Sequence, residues 1–209
     1  MPPQLVCFDL GGVLIRLAGT WARACSRAGV PVPAPMDDSS LQARFTEVND
    51  RFERGQVEEA RFLEEAAALV GMGPEPFSAA FEAWLQGPYP GGRELIERIG
   101  RAGLTTACLS NTSPWHWRLM NEDPRNRLPL DLLQFRFTSF RIGVMKPDPL
   151  IFAHVEVQAG APPETILYFD DDAANVQAAR DRGWCAHQID PGGDTAAQMA
   201  ERLSAMCDL

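Results

Sequence analysis

Gln4-Leu5-Val6-Cys7-Phe8-Asp9-Leu10-Gly11-Gly12-Val13-Leu14 is the stretch around which the rest of the chain is organised. Leu5 to Phe8 is an unbroken apolar run, short enough for a strand buried on both faces. It ends on a carboxylate, Asp9, and two glycines follow closely. A carboxylate at the carboxyl end of a buried strand lies where open parallel sheets bind ligands. Glycines there let the backbone turn sharply and let another group come close. Alone, such a stretch is more often a strand running into an Asp-started turn. The pattern downstream decides between the two.

Residues 16–86 read as helices, with no convincing strand. A helix is expected over 20–29, stopped by Gly29. Pro31, Pro33 and Pro35 force an extended link. Ser39-Ser40 supply an N-cap for a helix carrying Leu41, Phe45, Val48 and Phe52 at helical spacing. Amphipathic helices follow over 57–70 and 74–85. Gly87-Pro88-Tyr89-Pro90-Gly91-Gly92 is the strongest breaker in the chain and marks a domain boundary. This gives a core of residues 1–15 and 88–209 and a helical cap of residues 16–87.

Beyond the breaker, strand and helix alternate. Strands are expected over 105–109, 135–140, 166–169 and 185–189. Helices are expected over 94–102, 114–120 (helix or loop), 149–158 after an Asp148 cap, 175–182 and from about 195. Such alternation predicts an α/β fold with a doubly wound parallel sheet, right-handed crossovers and the helical insertion over its strand ends.

The bulk composition narrows the partners. A formal charge of −9 over 209 residues disfavours nucleic acid and anionic membrane, which need clustered Lys and Arg. The five cysteines (Cys7, Cys25, Cys108, Cys185, Cys207) form no CxxC pair and read as reduced thiols. No run approaches the ~20 apolar residues of a membrane helix, and the Met-Pro-Pro-Gln start has no leader pattern. A cytoplasmic protein, monomer or homodimer, is expected.

Three buried strands end in polar groups: Asp9, Ser110-Asn111 and Asp170-Asp171. Lys146 precedes the Asp148 helix. In a doubly wound sheet these converge on one rim. Crowded acids stay ionised only beside a cation, and hard oxygens suit Mg2+, which also binds phosphate oxygens. Asp9, Asp171 and the Gly11 carbonyl would ligate the metal, with Asp170 assisting. Lys146, Ser110 and Asn111 would hold the remaining oxygens of a small phosphorylated metabolite. Asp172 reads as the acid at a helix start, and Asn175 as its support. Arg44, Arg51 and Arg54 read as a solvated face. Trp115, His116 and Trp117 read as packing residues.

The set Asp9-Leu-Gly-Gly-Val, Leu109-Ser110-Asn111-Thr112, Lys146-Pro147 and Asp170-Asp171-x-x-x-Asn175-Val176 resembles the haloacid dehalogenase (HAD) superfamily, in order and spacing over the whole chain. The segments at 109–116 and 137–154 are most similar to its sugar-phosphate phosphatases, including those acting on α-glucose-1-phosphate. The resemblance implies that Asp9 is a nucleophile forming an aspartyl-phosphate. It implies that Lys146 neutralises charge beside it, and that Asp170 and Asp171 hold Mg2+.

In one place the chain departs from the family pattern. Most phosphatases of this family carry an acid–base Asp where this chain has Gly11. Loss of such a group costs about 10²–10⁴-fold, so Gly11 alone should restrict the enzyme to leaving groups that need little protonation, anomeric oxygens before alkyl ones. Two other readings stand beside the phosphatase. One is a metal-independent dehalogenase, in which the Asp attacks carbon. The other is a catalytically weak binding domain.

Overall fold

The computed structural model of the chain describes residues 3–33 and 38–206. Pro35, Cys207 and the Met1-Pro2 start, used above, lie outside the described residues. In chain order the elements are β1 (Leu5–Phe8), β2 (Ile15–Leu17), α1 (Trp21–Ala28), α2 (Ser39–Glu53), α3 (Glu59–Val70), α4 (Pro74–Glu82), β3 (Leu85–Pro88), α5 (Gly92–Arg101), β4 (Thr105–Ser110), α6 (Pro114–Glu122), β5 (Phe135–Thr138), α7 (Ser139–Ile142), α8 (Pro149–Ala159), β6 (Ile166–Asp170), α9 (Ala173–Asp181), β7 (Cys185–Gln188) and α10 (Thr195–Ser204).

β1 is the middle of a five-stranded sheet ordered β5-β4-β1-β6-β7, and every pairing in it is parallel. Its four residues are all buried because helices cover both faces, as the unbroken apolar run requires. Val6 and Phe8 join the side chains of α5, α6 and α10 on one face. Leu5 and Cys7 join those of α8 and α9 on the other, as the period-2 alternation of a strand dictates. The register pairs Phe8 with Cys108 on one side and Phe169 on the other. Asp9, Ser110 and Asp170 therefore leave the sheet at neighbouring points on one rim.

The inserted helices α1–α4 form their own apolar cluster around Phe52, Phe62 and Phe77, with Trp115 from α6 closing it. Phe52 and Phe62 stack at 4.2 Å between ring centres. Several elements differ from the sequence reading. β2 and β3 form a short antiparallel pair at the stem of the insertion, where no strand was expected. Neither has a run long enough to signal itself, and Pro88 is tolerated because it ends a two-stranded edge. Asp38, not Ser39-Ser40, caps α2, accepting from the Ser40 N–H at 2.8 Å. Phe140 belongs to α7 and not to the preceding strand.

Asp148 caps α8 as expected, accepting from the Leu150 N–H. Cys7, Cys25, Cys108 and Cys185 are free thiols. Among the described residues no helix is long and apolar enough to cross a membrane.

Candidate active site

Lys146 is the hub of the rim. Its Nζ lies 2.9 Å from Asp9 Oδ1 and 2.6 Å from Asp170 Oδ2, and it donates to the Tyr168 hydroxyl at 2.9 Å. A lysine only 5% exposed is rare without such partners. Burial opposes its charge, but Asp9 and Asp170 outweigh that and hold its pKa above the usual range.

Asp170 is fully buried and its oxygens are committed. They accept from Lys146, the Tyr168 hydroxyl, the Asp172 N–H and the Asn175 amide. A carboxylate offers about four lone-pair directions, and these protein donors occupy them. Asp172 caps α9, and Asn175 supports the acid loop, both as read from the sequence.

Asn111, expected to touch substrate, has its side-chain amide on the Lys146 backbone. Its Nδ2 donates to the Lys146 carbonyl at 2.9 Å, and the Lys146 N–H donates to its Oδ1 at 2.8 Å. This two-way clasp fixes the backbone from which the lysine projects. The Ser110 hydroxyl makes only a 3.4 Å contact with the Asn111 carbonyl, a weak hydrogen bond. It is thus able to turn to a ligand.

His116 lies under the site, its Nε2 2.9 Å from the Phe81 carbonyl and its ring stacked on Phe81. Burial pulls its pKa down to about 4. Trp115 packs among the inserted helices and Trp117 against the sheet. Arg51 pairs with Glu65 and Arg54 with Asp50.

Ligand oxygens of Asp9, Asp170 and Asp171 all lie within 4.8 Å of one another. Three acids face one lysine, and the imbalance shows in their titration. Burial pushes the Asp9 carboxyl up to about 7, with Lys146 pulling it down and Asp170 and Asp171 pushing it up. Burial, then Asp170, raises Asp171. An all-oxygen donor set with surplus negative charge fits a hard divalent cation.

The glycine turn packs directly on this cluster. Gly12 has φ +69°, and a Cβ there would sit 2.3 Å from Asp171 Oδ2. Gly12→Ala is expected to lower stability by about 1–3 kcal/mol through backbone strain and to push the Asp171 carboxylate off the cluster. Thermal melting together with Mg2+ titration checks this. Unchanged melting and Mg2+ affinity would mean that the turn tolerates a side chain.

A cavity of about 180 Å³ opens above the rim. Gly11, Ser110, Asn111 and Thr112 line its floor, and Trp21, Phe45, Trp84, Asn49 and Glu53 line its helical side. The sequence reading missed Asn49 and Glu53, which look there like two more polar residues on an amphipathic helix. Burial pushes the Glu53 carboxyl up to about 7.

A model of the haloacid dehalogenase-like hydrolases matches residues 3–183. The chain is 27% identical to a phosphatase of Mycobacterium tuberculosis, covering 99% of this chain and 96% of the relative. It is 25% identical to D-ribitol-5-phosphate phosphatase of Bacteroides thetaiotaomicron, covering 96% and 98%. A HAD family enzyme from Bacteroides thetaiotaomicron, crystallised with magnesium and inorganic phosphate, superposes with a TM-score of 0.78 at 22% identity, over 94% of this chain and 98% of the other.

Proposed function

The chain belongs to the haloacid dehalogenase-like hydrolase family, and on that premise we propose that it is a Mg2+-dependent phosphatase acting through an aspartyl-phosphate on Asp9. Its substrate in this reading is a small phosphorylated metabolite, a sugar or sugar-alcohol phosphate first of all. The observation that carries the reading is Asp9 within 2.9 Å of a buried lysine and inside a three-acid oxygen cluster. Two curated relatives are phosphatases, and the HAD family enzyme of the same fold was crystallised with magnesium and inorganic phosphate.

In this reading Asp9 attacks phosphorus. Lys146 and the Ser110 hydroxyl hold phosphoryl oxygens, and Asn111 and Asp170 position Lys146. The Asp9 and Asp171 carboxylates and the Gly11 carbonyl hold Mg2+, with Asp170 behind them. When bound, the metal neutralises charge that develops on the transferring group. Among the described residues no Lys or Arg lines the cavity, which suits an uncharged leaving group. The aromatic walls and the Asn49 amide suit the apolar faces and hydroxyls of a polyol. Residues 16–87 act in this reading as a cap over a core of 1–15 and 88–209.

The test is release of phosphate from p-nitrophenyl phosphate and a panel of sugar phosphates. Turnover is expected with Mg2+, should vanish in EDTA, and should return when the metal is restored. Activity on a haloacid that survives EDTA would instead identify a dehalogenase, although the surplus acids would repel such a carboxylate substrate. A protein that binds Mg2+ and hydrolyses no ester would be a binding domain.

A further inference from the structure

We propose that the Glu53 carboxyl, reaching the cavity from the last turn of α2, is the general acid and base of the reaction. The inference rests on the phosphatase reading above. A phosphomonoester with a poor leaving group needs a proton delivered to the departing oxygen, and few groups here can deliver it. Asp9 is the nucleophile in that reading, and Lys146 and Asp170 are tied to each other. Among the described residues, Glu53 and His116 are the two titratable side chains that line the cavity. His116 is engaged with the Phe81 carbonyl and stays uncharged.

Glu53 has the properties the task demands. It shares the cavity with Gly11, Ser110 and Asn111, and it lies near enough to Lys146 for the two charges to interact. No Lys or Arg among the described residues forms a salt bridge with it; its neighbour Arg54 pairs with Asp50 instead. It is the last residue of α2, where the helix dipole disfavours a negative charge. Burial works in the same direction, against Asn49, Lys146 and Arg54, and its pKa of about 7 matches an acid–base group at neutral pH.

In the first step an Asp9 carboxylate oxygen forms a bond to phosphorus, and the bond from phosphorus to the substrate oxygen breaks. That oxygen keeps the electron pair and takes the Glu53 proton, leaving as the alcohol. In the second step water attacks the aspartyl-phosphate and gives one proton to the Glu53 carboxylate. The bond between phosphorus and Asp9 breaks, phosphate leaves, and both residues return to their starting state.

The test is rapid mixing of wild type and Glu53→Gln, with Mg2+, against p-nitrophenyl phosphate and against an alkyl phosphate such as glycerol phosphate. p-Nitrophenolate leaves without a proton, so the variant's first-turnover burst should match wild type within about twofold, which also shows that it is folded. First turnover of the alkyl ester should fall by roughly 10²–10⁴-fold. The leaving-group restriction expected from Gly11 alone then describes the variant and not the wild type. An equal fall for both esters, or no fall for either, would overturn the role of Glu53 while leaving Asp9 catalysis intact. A wild type that hydrolyses neither ester would overturn the phosphatase reading and this inference with it.

Discussion

Asp9→Asn is expected to abolish phosphate release without weakening the fold. Losing a nucleophile typically costs on the order of 10⁴–10⁶-fold in turnover, and an amide oxygen cannot form the acyl phosphate that water then clears. The backbone at this point is held independently of the side chain, because the Asp9 N–H donates to the Phe169 carbonyl at 2.8 Å. The carboxyl is itself a burden on the fold. Its pKa of about 7 against an ordinary 3.8 means that the folded chain keeps a proton that the unfolded chain has lost. Stability on this account falls as pH rises from about 4 to 7. A neutral amide removes that penalty and still accepts from Lys146. Above pH 7 the variant should therefore melt no lower than wild type. The checks are p-nitrophenol release with Mg2+ and a melting curve at pH 8. A variant that keeps its turnover would remove Asp9 from the chemistry.

The rim was legible because strands covered on both faces leave a strong mark in sequence. Leu5–Phe8 and Ile166–Phe169 are continuous apolar runs, and each stops at an acid. What stayed hidden depends on how separate pieces meet. β2 and β3 are short, and their strand character comes from pairing with each other across about seventy intervening residues. Asn111 was read by its neighbour Ser110, yet its amide faces the Lys146 backbone, a contact that only the packed loop reveals. Glu53 lies beside Arg54 and Asp50 in a polar stretch, and although it shares a stripe of α2 with Phe45 and Asn49 at i, i+4, i+8 spacing, nothing in that spacing says what the stripe faces. Its importance comes from the docking of α2 over the rim, where Gly55 packs against the Phe140 carbonyl. An apolar pattern fixes which face of a helix is buried but not which polar residue ends above a cavity.

Lys146→Met is expected to remove activity and much of the stability together, with the two losses separable by pH. Methionine resembles the lysine stem in length and flexibility, so the change is mainly one of charge. The variant leaves Asp9 and Asp170 without their lysine partner and the Tyr168 hydroxyl without its donor. Breaking a buried ion pair from one side costs about 3–5 kcal/mol. For a chain of this size that is a drop of roughly 6–20 °C in melting temperature. The sign with pH follows from Asp9. Its folded pKa already exceeds the unfolded value, and Lys146 is the group pulling it down. Without the lysine it rises further, so the range over which stability declines with pH widens upward. The deficit should be smallest near pH 4, where Asp9 is protonated with or without the lysine, and largest at pH 8. Activity should not recover at low pH, because the donor to the phosphoryl oxygens is gone; loss of such a donor costs about 10²–10³-fold. Melting of both proteins from pH 4 to 8, beside phosphate release, decides the matter. Equal melting at pH 8 would show that the acids do not depend on Lys146 for their charge, and the clasp from Asn111 and the anchor from Asp170 would then need another purpose.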